Sequence, residues 1–159
     1  MSYLFKITLS GFILIVLSII CIITPYRIIE ATSQDWAGGR PEAGYGTYYK
    51  LRIIVFTGSE KLYIDQFWVG DDYYEIKPYI NPGQFKNNYF SKGDTIRIQA
   101  TKYSGSDITK DKNIQKSSNK YIAPPNNYKG EAIIGYKYRN KRKYKKIKFF
   151  KKLKKLNYQ

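Results

Sequence analysis

An all-β fold of antiparallel strands is what this sequence predicts, and three observations carry the expectation. Apolar and polar residues alternate with a period of two through several segments, and no helical period appears between residues 34 and 143. Residue types that suit a pleated surface are abundant, with 17 Tyr and 8 Phe among 159 residues. The alternation decides the class, because a half-buried strand places every second side chain on one face.

One segment stands apart from this pattern. Residues 7–23, ITLSGFILIVLSIICII, form 17 consecutive residues without a charge, preceded by Lys6 and followed by Pro25, Tyr26 and Arg27. As a helix rising about 1.5 Å per residue, and with Leu4, Phe5 and Thr24 added, the run approaches the roughly 30 Å hydrocarbon thickness of a bilayer. Residues 1–26 are therefore expected to be one N-terminal transmembrane anchor or signal helix, with Tyr3 and Tyr26 near the two interfaces. The run is longer than the apolar region of a signal peptide, which favours an uncleaved anchor. Ala31, Thr32 and Ser33 supply a small-residue cleavage pattern, so export after cleavage stays open as the alternative. A lipoprotein signal at Cys21 fits poorly, since Ile20 and Ile22 flank the cysteine. A weakly charged N-terminus leading into an apolar run and then a sizeable domain is the layout of an export signal, which places the domain outside the cytoplasm.

Residues 27–46 read as a Gly-rich connector, with Gly38, Gly39, Gly44 and Gly46 marking tight turns. The domain proper is expected over residues 47–150. Residues 48–57 set Tyr49, Leu51, Ile53 and Val55 against Lys50, Arg52, Ile54 and Phe56, and a turn at Gly58-Ser59-Glu60 leads to a second strand over 61–69, read as its hairpin partner. Residues 73–80 resume a strand that Pro78 confines to an edge or a stop. Residues 94–102 alternate most cleanly, with Ile96, Ile98 and Ala100 on one face. A long polar loop over 103–130 exceeds what a compact domain ordinarily tolerates without structure. Strands over 131–138 and 143–150 close a last hairpin through a turn at 139–142. Six strands without βαβ alternation point to an antiparallel β-sandwich of immunoglobulin-like architecture or a partly open barrel.

The formal net charge of +16 comes from 22 Lys and 6 Arg against 12 acidic residues, and it is unevenly placed. Residues 34–136 carry 14 basic and 11 acidic side chains, whereas residues 137–159 carry 12 basic and none acidic. The excess belongs to the end of the chain. Lys145, Lys146, Lys148, Lys151, Lys152, Lys154 and Lys155 are thus candidate binding residues, and residues 151–159 read as a basic C-terminal tail. The tail completes the last strand and continues solvated, or it forms a helix with Phe149, Phe150, Leu153 and Leu156 on one face and lysines on the rest, the pattern of a membrane-surface segment. Anionic lipid or another envelope component is the partner this charge favours. Nucleic acid enters only if the domain faces the cytoplasm.

Composition removes much catalytic chemistry. The chain has no histidine and its single cysteine, Cys21, lies in the apolar run, so a Ser-His-Asp or Cys-His arrangement and a His/Cys zinc site are excluded from the domain. No cofactor is implied. Asp65, Asp71, Asp72 and Glu75 are the one acidic cluster, and a carboxylate hydrolase would need them to face one another across a cleft. Asp71 and Asp72 follow Gly70 and read first as turn chemistry, with a calcium-like oxygen site as a rival. Trp36, placed in a loop, is the candidate stacking platform; Trp68, placed in a strand, reads as core.

The order of apolar leader, W-x-G-G at residues 36–39, the stretch KLYIDQFWVGDDYYEIK and the ending GEAIIGYKYRNKRKYKKIKFF resembles a family of small bacterial membrane-tethered or exported envelope proteins with no known activity. The resemblance implies an exported strand-rich domain at a bacterial membrane and adds no site. The expected function is a non-catalytic envelope binding or scaffolding module. The first alternative is a membrane-tethered basic protein whose C-terminal tail contacts anionic lipid or nucleic acid, and the carboxylate hydrolase comes third.

Overall fold

The computed structural model describes residues 24–40, 43–80, 89–104, 122–125 and 128–159. Among the described residues nine strands run in the order β1 (Tyr26–Ala37), β2 (Tyr45–Val55), β3 (Leu62–Val69), β4 (Asp72–Glu75), β5 (Thr95–Ser104), β6 (Ala132–Tyr138), β7 (Lys141–Ile147), β8 (Lys151–Lys152) and β9 (Leu156–Asn157). They form two sheets. The first has the order β5-β2-β1-β8, with β9 also paired to β1, and the second has the order β4-β3-β6-β7. All pairings are antiparallel except those of β8 and β9, which run parallel to β1.

The two sheets share one apolar core. Leu51, Ile53 and Val55 of β2 with Ile96, Ile98 and Ala100 of β5 meet Leu62, Ile64 and Phe67 of β3 and Ala132, Ile134 and Tyr136 of β6. The inward residues of β2 and β5 are those that the alternation assigns. Tyr26 of β1 meets Tyr136 of β6 edge to face, with ring centroids 5.0 Å apart, which ties the first strand to the opposite sheet.

Two of the three hairpins close with local chemistry legible in the sequence. β3 and β4 are joined by Gly70 and Asp71, with Gly70 at φ +56°, and β6 and β7 by Arg139 and Asn140 at φ 49° and 63°. Both are two-residue connections that need left-handed backbone, which glycine and asparagine adopt at low cost.

The structure corrects three expectations. The segment 27–46 is not a connector: Tyr26 to Ala37 is a strand, paired with β2 along its length. Its alternation is concealed by a register shift between Ile28 and Glu30, after which inward and outward positions change parity. β2 and β3 are not hairpin partners either. The turn after Phe56 carries the chain from the first sheet to the second, because both sides of β2 are already occupied by β1 and β5. The tail is neither helical nor free, since residues 151–152 and 156–157 add to the edge of β1. The anchor expected over residues 1–26 lies outside the described residues as far as residue 23; among the described residues no helix is long and apolar enough to cross a membrane.

Several phenols are held far from water. Burial, with a neighbouring Tyr136 hydroxyl as a lesser cause, pushes the Tyr26 hydroxyl well above its ordinary value of 10.0. Burial does the same for Tyr136, and for Tyr74, where Asp72 and Tyr49 add to it. Each group binds its proton more tightly in the folded chain than in the unfolded one. Their contribution to stability is therefore complete below pH 10.0 and is lost as pH rises through the raised folded values. The thermal midpoint followed by circular dichroism is expected to hold steady from about pH 7 to 9 and to fall above about pH 10; a midpoint insensitive to alkali would show that these hydroxyls are solvated.

Candidate functional site

The lysines singled out by the sequence separate into two groups once the strands are placed. After β7, residues 148–150 carry the chain across to the first sheet. Phe150 turns inward against Tyr49, with ring centroids 5.2 Å apart, and its amide donates to Glu131 Oε2 at 2.7 Å. The tail then follows β1 upward. Leu153 N–H donates to Ser33 O at 2.8 Å, Tyr158 N–H donates to Ala37 O at 3.0 Å, and Gln34 Nε2 donates to Lys154 O at 2.9 Å. Lys152, Lys154 and Lys155 are exposed along this added strand.

Lys145 and Lys146 of β7, with Lys151 at the start of β8, lie on the wall of a groove of about 1010 Å³ between the first half of β1 and the end of β7. The tail reaches β1 only at Thr32, and among the described residues no strand lies on the outer side of residues 26–31, where the groove opens. Arg27 and Arg52 complete its basic lining, and Glu30, paired with Arg52 at 3.0 Å, is the single acid among the described lining residues. Between the charges stand Ile29, Phe56 and Phe149, the last of them 71% exposed. Lys148 is exposed but is not among the lining residues. Phe149 was named in the sequence only as part of the apolar face of a helical tail, and Arg27, Arg52 and Phe56 were not singled out as binding residues. Their signal was weak: a lone arginine after the apolar run, and outward positions of strands whose inward faces drew attention.

Trp36 does not join this groove. It sits near the far end of β1, is only 6% exposed, and lies under Tyr48, Tyr103 and Tyr158 at centroid distances of 5.7, 5.3 and 6.3 Å. The expectation of an open stacking platform is corrected: β9 brings Tyr158 over the indole. Gly46 makes the arrangement feasible, since a Cβ there would stand 2.9 Å from Trp36 Nε1 and 2.1 Å from the Lys102 carbonyl oxygen. Among the described residues Trp36 Nε1 finds no hydrogen-bond partner. Trp68 behaves as core, as the sequence suggests, but on the outer face of the second sheet. It packs with Tyr73 and Ile133 beneath Ile122 and Tyr128 of the long polar loop, and Nε1 donates to Ile122 O at 2.9 Å.

The acidic cluster is drawn into structural pairs. Asp65 occupies the register shift between Ile64 and Gln66, where it accepts two hydrogen bonds from Arg142, at 2.5 and 2.8 Å. That contact holds the Arg142 guanidinium above its ordinary value. Asp72, at the edge of the second sheet, meets Lys102 at the edge of the first at 2.6 Å and raises the pKa of its ammonium. Asp71 lies in the β3–β4 turn. Among the described residues no group of three His, Cys, Asp or Glu side chains is placed to hold a metal ion.

No family model, curated protein or solved structure matches this chain. The site therefore has to be argued from its own geometry.

Removing residues 151–159 is expected to lower the unfolding free energy by about 2–4 kcal/mol, measured by urea denaturation, because strand hydrogen bonds and the cover over Trp36 are lost together. An unchanged midpoint would mean that the added strand contributes nothing to the fold. Asp65→Ala, which leaves a partly buried guanidinium unpaired, is expected to cost about 1–3 kcal/mol. The double variant Asp65→Leu with Arg142→Met should recover most of that loss, and failure to do so would point to a role for the pair beyond mutual neutralisation.

Proposed function

We propose that this chain is a non-catalytic binding or scaffolding module of the bacterial envelope, tethered by its N-terminal apolar run, with an immunoglobulin-like domain on the extracytoplasmic side. The observation that carries the reading is the fate of the ionisable groups. Asp65 is engaged by Arg142, Asp72 by Lys102 and Glu131 by the Phe150 amide, so carboxylates that could have served as acid and base are spent on joining strands and sheets. Asp71 and Glu75 of the acidic cluster are exposed near the β3–β4 hairpin, and around them the surface is rich in lysine and aromatic side chains, an exterior suited to adhesion rather than turnover.

The tether is supported by continuity. The uncharged run ends at Ile23, and β1 begins at Tyr26, with Pro25 O accepting from Phe56 N–H at 2.8 Å. Only Thr24 and Pro25 separate the run from the sheet. Such a chain has no length of flexible linker in which the domain could drift from a bilayer that held the run.

Topology tests the reading. Alkaline phosphatase fused after Gln159 is expected to be active in intact cells, while a green fluorescent protein exported the same way stays dark. The reverse pair of outcomes would place the domain in the cytoplasm and return anionic lipid or nucleic acid contact through the tail as the leading function.

A further inference from the structure

We propose that the groove between β1 and β7 docks onto anionic lipid headgroups of the bilayer that holds residues 7–23, which fixes the domain's orientation on the membrane. The inference rests on the tether proposed above and adds to it a second, independent attachment.

The first support is position. Thr24, one residue beyond the apolar run, lines the groove, and Pro25 is bonded into the sheet through Phe56. Two extended residues span at most about 7 Å. If the run crosses the hydrocarbon layer, the mouth of the groove lies within the headgroup region without further movement. Phe56 is 43% exposed beside that junction.

The second support is chemistry. Arg27, Arg52, Lys145, Lys146 and Lys151 face one acid, Glu30, which is neutralised by Arg52. Ile29, Phe56 and Phe149 project among them. Cations around exposed aromatic and aliphatic side chains match the boundary where phosphate gives way to acyl chain, with the ammonium and guanidinium groups on phosphate and the rings below it.

An extended acidic peptide adding to β1 fits less well. The register shift at Ile28 and Glu30 skews the outward backbone groups of the open edge, and such irregularities oppose the pairing of a further strand. A bilayer needs no such register.

The test uses the full chain with Cys21→Ser and Lys148→Cys, carrying an environment-sensitive fluorophore at position 148, which lies beside the groove without lining it. The chain is incorporated into nanodiscs of phosphatidylcholine alone or mixed in equal parts with phosphatidylglycerol, and quenching by neutral acrylamide is measured. In the anionic discs quenching is expected to fall roughly threefold, and high salt should restore it. Lys145→Glu, Lys146→Glu and Lys151→Glu together should abolish the difference between discs. Lys152→Glu, Lys154→Glu and Lys155→Glu, an equal change of charge outside the groove, should leave it in place. Equal quenching in both discs, or equal effects of the two triple variants, overturns the assignment while the tether stands. Protection by a polyglutamate peptide but not by phosphatidylglycerol overturns it in favour of an acidic polypeptide. Extraction of the unlabelled chain from vesicles by alkaline carbonate overturns the tether itself.

Discussion

β1 is bonded along both of its sides, but by partners of unequal reach, and the rest of the molecule is arranged around that inequality. On one side β2 follows it from Tyr26 to Ala37. On the other the chain's last residues attach only at Thr32 and above, because they must first leave β7 in the opposite sheet and cross through residues 148–150. The crossing consumes the length that would have covered the lower edge. A strand separated by two residues from an uncharged apolar run thus has no strand beside its first half among the described residues, and that half lies against the lysines at the end of β7.

Aromatic residues settle how so small a domain is held. Tyr26 and Tyr136 join the sheets through the core, while the two tryptophans lie on the outer faces under cover drawn from distant chain segments, Tyr158 over Trp36 and Ile122 with Tyr128 over Trp68. Each cover converts an outward position into a buried one and enlarges the apolar area removed from water beyond that of the central core. The two sites differ in polar satisfaction. Trp68 Nε1 is bonded to Ile122 O, whereas Trp36 Nε1 has no partner among the described residues.

Much of this was legible in the sequence where one face alone was buried. The alternation in residues 48–57 and 94–102 assigned the inward residues of β2 and β5 correctly, and the last hairpin closed within the turn expected over 139–142, though more tightly, since β7 already begins at Lys141. The misreadings have a common cause, which is that pairing partners are not written into a single strand's pattern. β1 breaks its period at a register shift and, above it, carries Thr32, Ser33, Gln34 and Asp35, so its strand character comes from neighbours on both sides rather than from an apolar stripe. The same holds for β8 and β9, whose few residues are extended because β1 offers them carbonyl groups. Trp36 appeared open because the residue that covers it is 122 positions later in the chain.

The charge shows the limit of composition most clearly. Counted along the chain, the cations of residues 137–159 form one uninterrupted basic tail. Folded, they divide: Lys145 and Lys146 of the second sheet and Lys151 at the start of β8 join Arg27 and Arg52, while Lys152, Lys154 and Lys155 follow on the added segment and do not line that groove. Electrostatic attraction to an extended anionic surface depends on which cations can reach it together, since each acts within about 10 Å at moderate ionic strength. Two equal triplets of lysine are therefore unequal in effect. The triplet beside the first half of β1 shares its surface with two arginines and three exposed apolar side chains, a denser combination of charge with groups that gain by leaving water than the second triplet has beside Leu153 and Leu156.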